Sequence, residues 1–294
     1  MSAALIDGKA IAAGRQAQLA ERVRRFQASQ GIVPGLAMVL VGEDAASDIY
    51  VRNKLRASDK VGLRSIEHRL PASTTQAELL TLLDRLNADD TVDGILVQLP
   101  LPPQIDPNSV IDSIDPDKDV DGFHVVNVGR LAAGRPGFVP CTPRACEILL
   151  HTVRTDLAGA QAVILGRSHL VGRPMAHLLL RDDCTVTITH TKTHDVPALC
   201  RSADVLIAAA GRAEMVRGDW IKPGAIVIDV GINRVTDAGG KSRIVGDVAF
   251  AEAAARAAAI TPVPGGVGPM TVGCLLENGF EAACRRRGID PATV

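Results

Sequence analysis

The 294-residue chain is almost without aromatics: one Tyr, one Trp and five Phe, 2% in all. Its core must therefore be Ala, Val, Leu and Ile. At 47% hydrophobic residues, that bias suits buried parallel strands covered by helices. Net charge is nearly absent as well: 32 Lys and Arg against 33 Asp and Glu give a formal -1. That removes any electrostatic case for nucleic acid or an anionic membrane as partner. The six cysteines, Cys141, Cys146, Cys184, Cys200, Cys274 and Cys284, include no CxxC pair and fit no zinc spacing. They read as buried thiols in a reducing compartment. No apolar run is long enough to span a bilayer, and the opening "MSAALIDGKAIA" lacks a signal-peptide core. A soluble cytoplasmic protein is expected. There is no HExxH, and His190 and His194 straddle a strand-to-helix junction. No metal site is expected.

What is present is a βαβ rhythm from end to end. The pattern predicts helices over 9–29, 74–88, 143–154 and 171–181. It predicts strands over 35–42, 65–70, 93–99, 162–166, 185–189, 205–211 and 225–231. Glu43 and Asp44 suit the start of a further helix carrying Tyr50 and Lys54. Residues 100–143, rich in Pro, Asp and Gly, read as loops and short helices between two domains. "TPVPGGVGPMT" reads as a loop before a last helix at about 271–287.

Two stretches carry chemistry. "YVRNK" (50–54) holds the only tyrosine. On a helix, Tyr50 and Lys54 share a face, one turn apart. They form either a surface pair or a stacking ring beside a proton-transferring amine. "ILGRSHLVGRPMAHLLL" runs from strand to helix, with Gly166 and Gly172 flanking the turn. Glycine there lets backbone approach a pyrophosphate seated on the helix N-terminus. The strict GxGxxG is missing, so a plain turn stays open. The next strand runs into His190, Thr191 and Lys192, with no carboxylate before Asp195. That end favours a 2′-phosphate, hence NADP over NAD, with Arg167 as a further positive contact. Alternatively, Lys192 is solvated and Asp195 caps a helix.

Taken together, the motifs resemble the bifunctional methylenetetrahydrofolate dehydrogenase/methenyltetrahydrofolate cyclohydrolases. In order they are "VGEDAASDIYVRNK", "DGILVQLPLP", "DPDKDVDGFH", "PCTP", "LGRSHLVGRP", "DVGIN", "GDV" and "PVPGGVGPMT". Ala45 stands where the family often has proline, and Thr191 where serine is common. The resemblance implies a two-lobed α/β fold. Residues 1–142 would form the folate-binding, catalytic domain and 143–271 the Rossmann-type NADP-binding domain. A helix from 272–294 would return to the first lobe. It also implies a homodimer, and a place in one-carbon metabolism that serves purine biosynthesis. By position, Tyr50 resembles the tyrosine that stacks on the folate's aminobenzoyl ring, and Lys54 the catalytic lysine. Gln98 resembles the glutamine that orients the lysine, and Asp121 the carboxylate that binds the pterin. Gly166, Arg167, Ser168 and Gly172 match the cofactor turn, with Thr191 and Ile232 lining the same site. The segment 264–271 resembles a closing loop, with Pro264 and Gly268 near the folate.

The chemistry fits those residue types. Hydride transfer from the methylene bridge releases no proton, so alignment suffices and no base is needed. Hydrolysis of the methenyl cation does need a base, for which Lys54 is the candidate, held by Gln98 without added charge. An NADP-dependent dehydrogenase of another small metabolite would keep the 160–232 motifs, but has no reason to keep "YVRNK" with "VQLPLP". A non-catalytic folate-binding protein has no need of Lys54 with both sets of motifs.

Overall fold

The computed structural model describes residues 2–236 and 240–294, without the side chains of 45 and 46. Along the chain run β1 (Ala4–Leu5), α1 (Gly8–Gln30), β2 (Gly35–Val41), α2 (Ala45–Val61), β3 (Arg64–Leu70), α3 (Gln76–Ala88), β4 (Gly94–Val97), α4 (Pro107–Ser113), α5 (Val125–Ala132) and α6 (Cys141–Val153). There follow β5 (Gln161–Leu165), α7 (Gly172–Arg181), β6 (Thr185–Thr189), α8 (Val196–Ser202), β7 (Val205–Ala208), β8 (Ile226–Asp229), β9 (Asn233–Thr236), β10 (Ser242–Val245), α9 (Phe250–Ala254), β11 (Ala259–Ile260) and α10 (Val267–Arg285). They form two units: Ala13–Val139 with Val272–Val294, and Met1–Ala12 with Pro140–Thr271.

The first of these is built on three parallel strands in the order β3-β2-β4. Central β2, "GLAMVLV", is buried at all seven positions, as a strand covered on both faces must be. Leu79, Leu83 and Leu86 fall on one face of α3 and pack with Ala37, Val39 and Val41 of β2. Thr75 and Glu78 start α3 with a reciprocal capping box. The expected return of the last helix is borne out. Phe280 of α10 sits edge-on to Phe26 with centroids 5.6 Å apart. Glu277 accepts two hydrogen bonds from Arg15, at 2.9 and 2.8 Å. Arg286 pairs with buried Asp93 at 2.9 Å.

The other unit is a six-stranded sheet in the order β1-β11-β8-β7-β5-β6, with every recorded pairing parallel. The chain runs from β5 to β6 on one side, then crosses back to lay β7 on the other. That reversal is the Rossmann-type switch point. Residues 4–5, expected in the N-terminal domain, pair as β1 with β11 and so belong to this sheet. Two-residue strands carry no periodicity that a sequence reading could catch. The antiparallel pairing of β9 with β10 was likewise not foreseen.

The last helix begins earlier than the expected loop allows. Val267–Thr271 is its first turn, which makes Gly268 helical rather than a loop residue. Pro269 is tolerated there because the first amides of a helix have no partner inside it.

Candidate active site

In the three-stranded unit, Asp44 caps α2, its carboxylate accepting from the Ser47 amide at 2.7 Å. The helix then presents Tyr50 and Lys54 one turn apart. Tyr50 keeps 45% of its surface exposed, which leaves its ring free to stack. Lys54 is partly buried. Its Nζ donates to Gln98 Oε1 at 3.0 Å. Gln98 follows β4, and its amide still bonds the Val39 carbonyl at 2.8 Å. Its side-chain Nε2 donates to the Leu99 carbonyl at 2.6 Å. That bond fixes the amide's orientation and turns Oε1 toward the lysine.

The segment carrying Asp121 runs beside β4. The Ile95 amide donates to the Lys118 carbonyl at 2.7 Å, and Ile95 pairs with Asp119 as a parallel bridge. Lys118 is buried, and its ammonium donates to the carbonyls of Leu86, Asn87 and Asp89 at 3.0, 2.6 and 2.9 Å. It thereby closes the open end of α3. Burial pulls its pKa below the ordinary lysine value. Asp119 accepts from the amides of Gly122 and His124 and from Asn127 Nδ2, at 3.1, 2.9 and 3.0 Å. Asn278 of α10 donates to the Val120 carbonyl at 2.8 Å. The bend that presents Asp121 is thus held on both flanks. Burial pushes the Asp121 carboxyl up to about 6. The Lys54 charge opposes that rise and the Asp119 charge adds to it.

In the six-stranded unit, a cleft of about 380 Å³ opens at the switch point. Leu165 and Gly166 line it at the end of β5, His190 and Thr191 after β6, and Ala210 and Arg212 after β7. Gly166 has φ +114, and a Cβ there would meet the Ala209 carbonyl at 2.2 Å. A Cβ on Gly172 would meet the Gly166 carbonyl at 2.1 Å. Only glycine permits this turn, which opens directly into α7. Ser168 closes it, its Oγ accepting from the Val171 amide at 3.1 Å. Close backbone, a helix N-terminus and flanking cations fit a dinucleotide. Arg167 and Thr191 both line the cleft. Asp195 instead caps α8, accepting from the Ala198 amide at 3.2 Å.

Ile232 lies between β8 and β9 and is 55% exposed. Pro264 and Gly268 lie in the six-stranded unit. Arg212 and Trp220 line the cleft and escaped the sequence reading. The signal for Trp220 was its being the only tryptophan. Glu147, His151 and Asp182 bring metal-capable atoms within 4.8 Å of one another. Their partners are already present: Arg181 holds Glu147 at 2.7 Å, and His151 holds Asp182 at 2.9 Å.

A Rossmann-type nucleotide cleft joined in one chain to a separate lysine–glutamine site defines a two-domain dehydrogenase class. Comparison with known proteins narrows it. The model of the tetrahydrofolate dehydrogenase/cyclohydrolase catalytic domain matches residues 6–121, and that of its NAD(P)-binding domain matches residues 140–287. The chain is 64% identical to a bifunctional protein FolD 3 of Rhizorhabdus wittichii over 288 residues, 98% of this chain and 95% of that protein. It is 59% identical over 295 residues to a bifunctional protein FolD of Rhodospirillum centenum, covering 98% and 97%. A crystal structure of the bifunctional enzyme FolD from Campylobacter jejuni superposes with a TM-score of 0.93 at 48% identity, covering 97% of this chain and all of that one. The Trypanosoma brucei enzyme, solved with NADP cofactor and inhibitor, gives 0.93 at 42% identity, covering 98% and 99%. The chain belongs to the tetrahydrofolate dehydrogenase/cyclohydrolase family.

Proposed function

We propose that this chain oxidises 5,10-methylenetetrahydrofolate with NADP⁺ and hydrolyses the resulting methenyl compound to 10-formyltetrahydrofolate. The observation that carries the reading is the 3.0 Å bond from Lys54 Nζ to Gln98 Oε1, within a unit largely covered by the catalytic-domain match. Residues 13–139 with the last helix hold the folate, and 140–271 hold the cofactor. Tyr50 offers its exposed ring to the aminobenzoyl group. Asp121, ionised at neutral pH, accepts from the N–H donors of the pterin.

When bound, the nicotinamide supplies the hydride acceptor. The folate gives up no proton in that step, so the residues have only to align it. Hydrolysis is different. Water adds to the methenyl carbon and gives one proton to a base; the C–N5 bond then breaks, N5 taking the remaining hydroxyl proton as the carbon becomes a formyl group. The Lys54 amine takes up the first proton while Gln98 Oε1 holds the amine in place. Arg167 and Thr191 favour the 2′-phosphate of NADP, and β6 ends with no carboxylate free for a ribose hydroxyl.

The family resemblance supports a homodimer, which sedimentation checks. A cytoplasmic setting is supported by six buried cysteines, none in a disulfide. No helix among the described residues is long and apolar enough to cross a membrane. The test of the activity is spectrophotometric: NADPH appearance with 5,10-methylenetetrahydrofolate, and loss of methenyl absorbance in a separate assay. Both are expected on the purified chain. Failure of either overturns the bifunctional reading.

A further inference from the structure

Two buried carboxylates of the six-stranded unit play no part in the chemistry above. Asp229 ends β8, and Asp247 lies in "GDV" just past β10. Past Ala209, whose amide still bonds the Leu165 carbonyl at 2.9 Å, the ladder of β7 stops. The next three amides all turn to one side chain. Asp247 Oδ2 accepts from the amides of Ala210 and Gly211 at 2.6 and 2.8 Å. Its Oδ1 accepts from the Arg212 amide at 2.9 Å and from Asn233 Nδ2 at 2.8 Å.

Asp247 is itself held from behind. Asp229 Oδ1 accepts from the amides of Gly231 and Asp247, and its Oδ2 from the amide of Val248, all at 2.9 Å. The packing leaves no room for side chains around this relay. A Cβ on Gly231 would lie 2.3 Å from Asp247 Oδ1, and one on Gly246 would lie 1.8 Å from Asp229 Oδ2. The segment held in this way matters because Ala210 and Arg212 form one wall of the nucleotide cleft.

We propose that Asp247 is a positioning residue for cofactor binding, with Asp229 as the second link. It gathers residues 210–212 into the shape that walls the cleft. The proposal rests on the NADP reading of that cleft. A carboxylate is required because four donors converge on two oxygens, which an ionised acid can satisfy with all its lone pairs. Asparagine has the same outline but one acceptor oxygen. In either orientation its NH₂ would face two N–H groups, the Ala210 and Gly211 amides or the Arg212 amide and Asn233 Nδ2, so the wall would lose at least one of its ties.

The test uses the full chain and compares Asp247→Asn with wild type in three assays. These are NADP⁺ affinity by calorimetry, dehydrogenase kinetics, and methenyl hydrolysis, which consumes no NADP⁺. The expected result is a loss of NADP⁺ affinity of tenfold or more and a matching rise in its KM. The KM for methylenetetrahydrofolate and the rate of methenyl hydrolysis should stay within about twofold of wild type. Unchanged NADP⁺ affinity in Asp247→Asn overturns the proposal. So does an equal loss of both activities, because a merely structural residue would lower them together. If Asp247→Asn does not fold, Asn233→Ala removes a single tie and should raise the NADP⁺ KM several-fold, with methenyl hydrolysis intact; no rise overturns the proposal. A wild-type chain that does not bind NADP⁺ would sink the cofactor reading itself, and this inference with it. Wild-type binding with an unaffected variant would sink this inference alone.

Discussion

At Asp121, burial and charge pull in opposite directions. Burial wins and holds the carboxyl near 6, above its ordinary 3.8. A carboxyl raised in the folded state contributes stability that is fully present below pH 3.8 and is lost as pH rises through about 6. Asparagine does not titrate. Asp121→Asn should therefore gain on wild type by a few degrees of melting temperature between pH 4 and pH 7. Thermal scans at both ends of that range check this; a constant offset between the two proteins would contradict it. With Tyr50 stacked on the folate as proposed, Tyr50→Ala should lower both activities together and weaken folate binding. Loss of one activity alone would remove the stacking role. The Tyr50–Lys54 pair was legible because one turn of helix sets it. The Lys54–Gln98 bond spans 44 positions, so only motif resemblance pointed to it. The ties from Lys118 to the end of α3 and from Asn278 to Val120 carried no local signal at all.

Among the elements, the long apolar strands and the helices with a clear 3.6 period were readable, because a buried parallel strand and an amphipathic helix each leave their own pattern. β1 and β11 were not, being two residues each. The start of α10 was misread because Gly268 and Pro269 are turn formers wherever they are not in a first helical turn. Two predictions belong at this scale. Arg167 stands at the turn into α7, and a charge-assisted phosphate contact contributes roughly 1.5–3 kcal/mol. Arg167→Ala should weaken NADP⁺ binding about tenfold or more and leave NAD⁺ nearly unchanged. Equal loss for the two cofactors in a binding titration would refute the 2′-phosphate contact. The second prediction concerns α10, whose Phe280 is fully buried against Phe26 and lies beneath the Arg22 guanidinium at 5.0 Å. Phe280→Ala should cost about 3–5 kcal/mol of stability, read by denaturant unfolding. A loss below about 1 kcal/mol would mean that the helix is not anchored there.

For the whole molecule, the central claim is that one chain carries two reactions with different needs. Hydride transfer needs alignment, and methenyl hydrolysis needs a base. Composition with the βαβ rhythm of apolar runs pointed to the α/β class. The division of labour became legible through the motifs, above all "YVRNK" with "VQLPLP" and the "LGRSHLVGRP" turn, since the buried strands carry no chemistry of their own. The measurement that tests the claim most directly is made on Lys54→Met, which keeps the apolar stem and removes the amine. NADPH formation and methenyl hydrolysis are assayed on the same preparation. Hydrolysis should fall by about 10²–10⁴-fold, the usual contribution of general-base catalysis, while NADPH formation survives in part. Methenyl hydrolysis near the wild-type rate would show that Lys54 is not the base and would contradict the account.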